Sequence, residues 1–247
     1  MTIAARFQSA LRDVLSPGPE VPELLPVRLS VACSRVLGVD GAGISLAGPD
    51  GERIPLGASS EVAARAERLQ FTAGEGPCAT AQQAREPVFT LLEDLRRRWP
   101  VFADLLLRET PFRAVVALPL REAISGLGAI DLYFRDETAV PDLDVFEAMA
   151  VGDLVTTELS EAAVWSTWSP ARGPAWLHGP SAERRAGVWE ALGVVSLALD
   201  LDVAGALDLL RATAWSAAST VDDVAADVLT GRLDAAALRA PERAPRD

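Results

Sequence analysis

Between residues 181 and 232 apolar residues fall at a helical interval three times in succession, with a break after each run. From about Ser181 to Asp200, Val188, Leu192, Val195 and Leu199 recur at i, i+4, i+7 and i+11, lining one side of a helix. Ala191, Gly193 and Ala198 keep its other faces small. A second run, from about Asp202 to Ala217, carries Val203, Ala206, Leu207, Leu210 and Ala214, and a third, from about Thr220 to Leu229, carries Val221, Val224, Ala225 and Val228. Ser181, Asp202 and Thr220 are side chains that cap helix N-termini, Asp223 stands three residues after Thr220, and Gly231 suits the residue that closes a last turn. Helices this short bury little by themselves. The first is apolar around most of its circumference, so it is expected to have a partner outside the trio, in the preceding domain or in a second copy of the chain.

Composition limits what such a module can serve. The chain has 247 residues, enough for one large domain or two smaller ones, and a formal net charge of −12 with pI near 4.6. That balance argues against a protein that coats nucleic acid. Every cation is arginine, and the chain has no lysine and no asparagine. Two cysteines, Cys33 and Cys78, fit a reducing cytosol better than a disulfide framework. Met1–Ser16 has no long apolar core of a signal peptide, and no window approaches the ~18 apolar residues of a membrane span. A soluble, cytoplasmic protein without membrane contact is expected.

The first two thirds of the chain mix periods. Helices are expected over Thr2–Leu15 and about Glu23–Leu37, then a hairpin of Ala42–Leu46 and Ile54–Ala58 around Pro49-Asp50-Gly51. A helix follows over about Glu61–Phe71, and the loop Ala73–Pro77 opens another with Pro77 in its first turn. Pro87–Thr90 reads as a short strand and Asp94–Arg108 as an exposed, charged helix. Ala114–Leu120 and Gly126–Phe134 are the clearest strands, and Pro141 starts a long helix to about Trp165. This order is not the alternation of a parallel doubly wound sheet; it predicts an α+β domain, an antiparallel sheet flanked by helices, followed by an all-α module.

Three stretches carry a resemblance: Gly74-Glu75-Gly76-Pro77-Cys78-Ala79, Ala117-Leu118-Pro119-Leu120 and Gly126-Leu127-Gly128-Ala129-Ile130-Asp131-Leu132-Tyr133. Together they resemble a GAF domain, especially those preceding ANTAR modules in actinobacterial regulators. Further on, Ala191-Leu192-Gly193, Ala206 with Leu209-Leu210, Ala214, and Val221-Asp222-Asp223-Val224-Ala225 resemble an ANTAR domain, a three-helix RNA-binding module of bacterial transcription antitermination regulators. Two departures stand out. The ANTAR pattern has a lysine where this chain has Leu192, and it is basic and polar where this chain has Trp215–Thr220. The resemblance implies an N-terminal helix over 1–20, a GAF-like sensor over 21–165, a linker over 166–180, an ANTAR-like three-helix module over 181–232 and a tail over 233–247. It also implies binding to paired RNA hairpin loops as a homodimer; the helices Thr2–Leu15 and Pro141–Trp165 are the expected seam, since both carry apolar faces longer than one domain needs.

Single-stranded loops are read by stacking on aromatic or guanidinium planes and by charge on phosphates. Arg184, Arg185, Arg211, Trp215 and Ser216 are therefore the candidate RNA-binding residues, with Arg232 and Trp189 nearby. Eight carboxylates from Glu183 to Asp227 face these arginines, which leaves a second reading open: a dimerisation or protein-docking module that binds no RNA.

Other constellations have two readings each. Gly74–Cys78 is an anion cradle at a helix N-terminus or a tight turn. Cys78 is a redox thiol activated by the helix or a small core residue. His178, the single histidine, has no ligand cluster beside it, and no nucleophilic triad can be assembled. No enzyme activity, metal or cofactor is expected. The Asn-Lys-Phe-Asp-Glu set tied to cyclic-nucleotide sensing in GAF domains needs residue types this chain lacks, so the ligand of the sensor, if one exists, is unassigned.

Overall fold

The computed structural model describes residues 1–14, 21–47, 53–123, 126–166 and 173–238, with side chains at 121–127 and 165–166 excluded. The chain divides into two compact units, Met1–Ala182 and Glu183–Asp247.

In the first unit, five strands form one antiparallel sheet: β1 (Gly41–Ala47), β2 (Arg53–Ala58), β3 (Val88–Thr90), β4 (Ala114–Ala123) and β5 (Gly126–Phe134), in the order β2-β1-β5-β4-β3. Ile44 lies opposite Ile130, and Leu118 pairs with Ile130 from the other side. This register fixes the two faces. Ala42, Ile44, Leu46, Val116, Leu118, Ile130 and Leu132 point to one side, into a core shared with α1 (Ile3–Val14), α2 (Leu25–Leu37) and α7 (Val145–Ser166). Val115, Ala117 and Tyr133 point to the other, against α3 (Glu61–Ala73), α5 (Leu92–Arg98) and α6 (Pro100–Glu109), with α4 (Pro77–Ala84) packed on β4 and β5. Pro55, which donates no ladder hydrogen bond, sits on the edge strand β2, where none is required on one side. The turn Pro49-Asp50-Gly51 lies outside the described residues.

Several expectations shift. The helix expected over Asp94–Arg108 is two helices, α5 and α6, broken at Trp99-Pro100. Proline lacks the amide and pushes the preceding residue out of the helical region; Trp99 accordingly has φ −140° and ψ 69°. Only one side of this segment is exposed, with Arg96, Arg97, Arg98, Asp104 and Arg108 outward; on the other, Leu95, Phe102, Ala103, Leu105 and Leu106 are buried. The N-terminal helix is no separate element, since Phe7 and Leu11 are buried in the core of this unit. Its apolar face packs within this chain. Along α7, Ala148, Val151, Val155, Leu159 and Ala163 face the core, while Phe146 and Val164 are exposed. A 3₁₀ turn, Glu137–Asp142, takes the place of the expected first turn of that helix. The end of the expected linker is built in as well. Trp176 is buried and its indole N–H donates to the Leu159 carbonyl at 3.1 Å.

The second unit is three helices, α8 (Pro180–Leu199, whose first turn falls in the first unit), α9 (Val203–Ser216) and α10 (Val221–Leu229), with a 3₁₀ turn at Ala235–Leu238. Their bounds follow the sequence signals. Asp202 caps α9 by accepting from Gly205 N at 2.7 Å, and Thr220 caps α10 by accepting from Asp223 N at 3.2 Å. Gly231, at φ +71°, follows α10 and donates to the Val228 carbonyl. Val188, Leu192, Val195, Ala206, Leu210, Ala214, Val221, Val224, Ala225 and Val228 are buried. On α8, Val194 and Leu197 remain exposed, the latter 89%. Among the described residues no helix is long and apolar enough to cross a membrane.

Candidate functional site

The expected RNA-binding residues separate into two groups. Arg185 is buried at 1% exposure and grips Asp222 with two parallel bonds, Nε to Oδ1 at 3.0 Å and Nη2 to Oδ2 at 3.1 Å. This corrects its assignment as an RNA contact: a guanidinium sealed against a carboxylate inside the helical unit is a packing element. Arg184, Arg211, Trp215 and Ser216 lie at or near the surface. Arg184 is half-exposed and stands 3.7 Å from Asp223; Arg211 is partly covered and stands 3.7 Å from Asp208. Burial lowers the pKa of Arg211, with Asp208 acting in the opposite sense. Arg211 and Trp215 are one helical turn apart on α9 and so share a face. Trp215 is 42% exposed, and Ser216 is exposed with its hydroxyl donating to the Thr213 carbonyl. Asp223 links the start of α8 to the connection after α9: it pairs with Arg184 while accepting from the Thr220 hydroxyl at 2.7 Å. Arg232 pairs with Asp227, and Trp189 is half-buried. All four described arginines of this unit therefore have a carboxylate beside them.

Inside the first unit lies a polar cluster that sequence reasoning missed. Arg53 on β2 reaches under α3, where its Nη2 donates to Glu67 Oε2 at 2.6 Å and Asp131 Oδ2 at 2.9 Å, and its Nε to Ser45 Oγ at 3.3 Å. Gln70 donates to Asp131 Oδ2 at 2.6 Å and to the Tyr133 hydroxyl at 3.2 Å; Tyr133 in turn donates to Glu67 Oε1 at 2.6 Å. Ser45 Oγ and Cys78 Sγ are 3.2 Å apart. Burial opposes the charge of Arg53, but Cys78, Glu67, Asp131 and Tyr133 outweigh it and raise its pKa. Burial, reinforced by the charge of Glu67 against that of Arg53, pushes Asp131 up to about 8. The signal for this cluster was present in β5. Asp131 and Tyr133 alternate with Ile130 and Leu132, but a polar face on a strand reads as solvent-facing unless helices are known to cover it.

Two of the open readings resolve here. Gln70 Oε1 accepts from Cys78 N at 3.2 Å, and a Cβ on Gly76 would overlap the Gln70 carboxamide. The amide end of α4 is thus occupied by a side chain, which overturns the anion cradle. Glu75 points elsewhere, accepting from Val101 N at 2.8 Å at the start of α6. Cys78 is fully buried, and its thiol pKa is raised well above the ordinary value by burial, although Arg53 opposes this. Desolvation therefore outweighs the helix end, and the thiolate that redox chemistry requires is disfavoured. Cys33 is buried in the other core, and burial raises its thiol pKa too. Among the described residues no group of three or more histidine, cysteine or carboxylate side chains is placed to hold a metal ion.

No protein-family model matches the sequence, and no curated protein matches it. Solved structures similar to the chain include GAF domains. One, from a phosphoenolpyruvate-protein phosphotransferase of Coxiella burnetii, is 16% identical with a TM-score of 0.44, covering 69% of this chain and 99% of that one. Another, from an Acinetobacter phosphoenolpyruvate-protein phosphotransferase, is 13% identical with a TM-score of 0.39, covering 63% and 92%. A domain assigned to a two-component sensor histidine kinase protein of Sinorhizobium meliloti 1021 is 16% identical with a TM-score of 0.45, covering 63% and 100%. All three TM-scores lie below 0.5, so the likeness carries no inference about ligand or activity.

Proposed function

We propose that the chain is a cytoplasmic, signal-responsive regulator: a GAF-like sensor unit joined to an ANTAR-like helical unit that binds RNA hairpin loops as a homodimer and promotes transcription antitermination. The observation that carries the RNA reading is the pairing of Arg211 with Trp215 on one face of α9, with Ser216 exposed at its end. A partly exposed indole is a stacking platform for an unpaired base. The ion pairs of Arg184 and Arg211 are both 3.7 Å long. Exposed pairs are worth at most about 1 kcal/mol, so a phosphate can displace either carboxylate at small cost. Support for the sensor reading comes from placement. The three GAF-like stretches fall at the α3–α4 junction, on β4 and on β5, and α4 packs on both of those strands. No catalytic role is proposed.

A second reading keeps the helical unit as a docking or dimerisation module. It is favoured by the exposed Val194 and Leu197 on α8 and by the carboxylate beside each described arginine of this unit. An electrophoretic shift with a two-hairpin RNA at low salt separates the two. A salt-sensitive shift weakened by Trp215→Ala supports RNA binding. No shift at micromolar protein, with the oligomer intact, leaves the docking reading.

A further inference from the structure

We propose that the polar cluster between the sheet and α3–α4 is a proton-binding site, and that giving up its proton is coupled to loosening of those two helices. The inference rests on the sensor reading only for its biological use; its chemistry stands apart from it.

Charge counting gives the first argument. Arg53 supplies one positive charge, and Glu67 and Asp131 supply two carboxyls; the carboxyls are 3% and 1% exposed. With both ionised, the cluster would hold one uncompensated negative charge out of water, which is costly. A single proton removes it. The second argument is geometric. Three of the four carboxyl oxygens accept hydrogen bonds from Arg53, Gln70 or Tyr133, while Asp131 Oδ1 is buried without a hydrogen-bond partner. A fully ionised Asp131 would leave that oxygen as an unsolvated anion.

The other groups facing the pair do not compete near neutrality. Cys78 on α4 and Tyr133 on β5 are both pushed upward, foremost by burial, and Arg53 on β2 is held charged. Ser45 on β1 and Gln70 on α3 do not titrate. The space is already filled. A Cβ on Gly43 would overlap the Glu67 carboxyl, as one on Gly76 would overlap Gln70. These glycines admit the chain's own polar side chains, so the species taken up is a proton rather than a larger ligand.

Coupling to motion follows from where the carboxyls sit. Glu67 belongs to α3 and Asp131 to β5, so repulsion between them acts across the helix–sheet seam. Gln70 ties the same seam through Asp131, Tyr133 and the amide of Cys78. Opening the seam to water lets Asp131 return to its ordinary pKa of 3.8 from about 8. The open population should therefore rise about tenfold per pH unit within that window and level off above it.

The test uses the full-length chain with carboxyl-¹³C aspartate. NMR titration should show one aspartate signal with its midpoint near 8, absent from D131N. Amide exchange in α3 and α4, corrected for its intrinsic pH dependence, should climb towards that midpoint in the natural chain and stay level in D131N. Should D131N fail to fold, E67Q replaces it, and loss of the neighbouring charge should bring the midpoint down. An Asp131 midpoint in the ordinary carboxyl range, a midpoint unmoved by E67Q, or exchange indifferent to pH would each overturn the proposal. RNA is absent from these measurements, so they fail independently of the antitermination reading.

Discussion

Removing the Arg185 guanidinium is the sharpest perturbation of the helical unit, because it distinguishes a structural arginine from an RNA-binding one. In Arg185→Ala, Asp222 would keep its position, fully covered, and lose both donors at 3.0 and 3.1 Å. Breaking a buried pair from one side costs about 3–5 kcal/mol. A small domain is stable by about 5–15 kcal/mol in all, and this unit is at the small end, so the substitution takes a large share. Arg184→Ala, which removes a half-exposed pair 3.7 Å long, should cost no more than about 1 kcal/mol. Urea unfolding of the full chain, with amide exchange read out in α8–α10, compares the two. The double variant R185M/D222L removes both charges together and should recover most of the loss, since apolar replacements of similar volume often match a buried pair. If Arg185→Ala unfolds no more easily than Arg184→Ala, or if the double variant is as weak as the single, the structural assignment of Arg185 is wrong.

Other outcomes are expected together. Stability should fall between about pH 4 and pH 8 by up to about 1.4 kcal/mol per pH unit from Asp131 alone. The folded chain keeps a proton up to about 8 that the unfolded chain releases near 3.8, so the contribution is complete below the lower value and lost by the upper. Subtracting the D131N profile isolates this term in thermal unfolding. Cys33 and Cys78 should both resist a thiol reagent in the folded chain and react once denaturant is added, because both are buried. Ala218 adopts φ +49° between α9 and α10, a region costly for any residue with a Cβ. Ala218→Gly should stabilise the unit by about 0.5–1 kcal/mol in the same urea measurement. Glu75→Ala, which strips an acceptor from the first amides of α6, should cost about 1–2 kcal/mol.

The helical trio was legible because its signals are local: apolar spacing, Asp202 and Thr220 as caps, and Gly231 after the last turn. The burial of Arg185 was legible in principle too. It lies three and seven residues before Val188 and Leu192, on the stripe that faces the core, but its charge drew the assignment to the surface. Asp222 stands one residue from Val221 at the start of α10, and nothing local says that it meets Arg185 across 37 positions. The strands were equally clear from alternation, yet the polar cluster was not. It joins residues 45, 53, 67, 70, 78, 131 and 133, which only strand pairing and helix docking bring together. The break at Trp99-Pro100 was a missed local rule. Proline ended the helix as its chemistry requires, while the run of charges at Arg96–Arg98 concealed the apolar turn after it.

Trp176 sets a practical limit on dissecting the molecule. A sensor fragment cut at residue 165 would discard an indole that fills the first core and hydrogen-bonds the Leu159 carbonyl. Loss of a buried tryptophan costs about 3–5 kcal/mol, so a fragment ending there should express poorly or aggregate. Ending it at residue 182, where the first unit closes, keeps the plug in place.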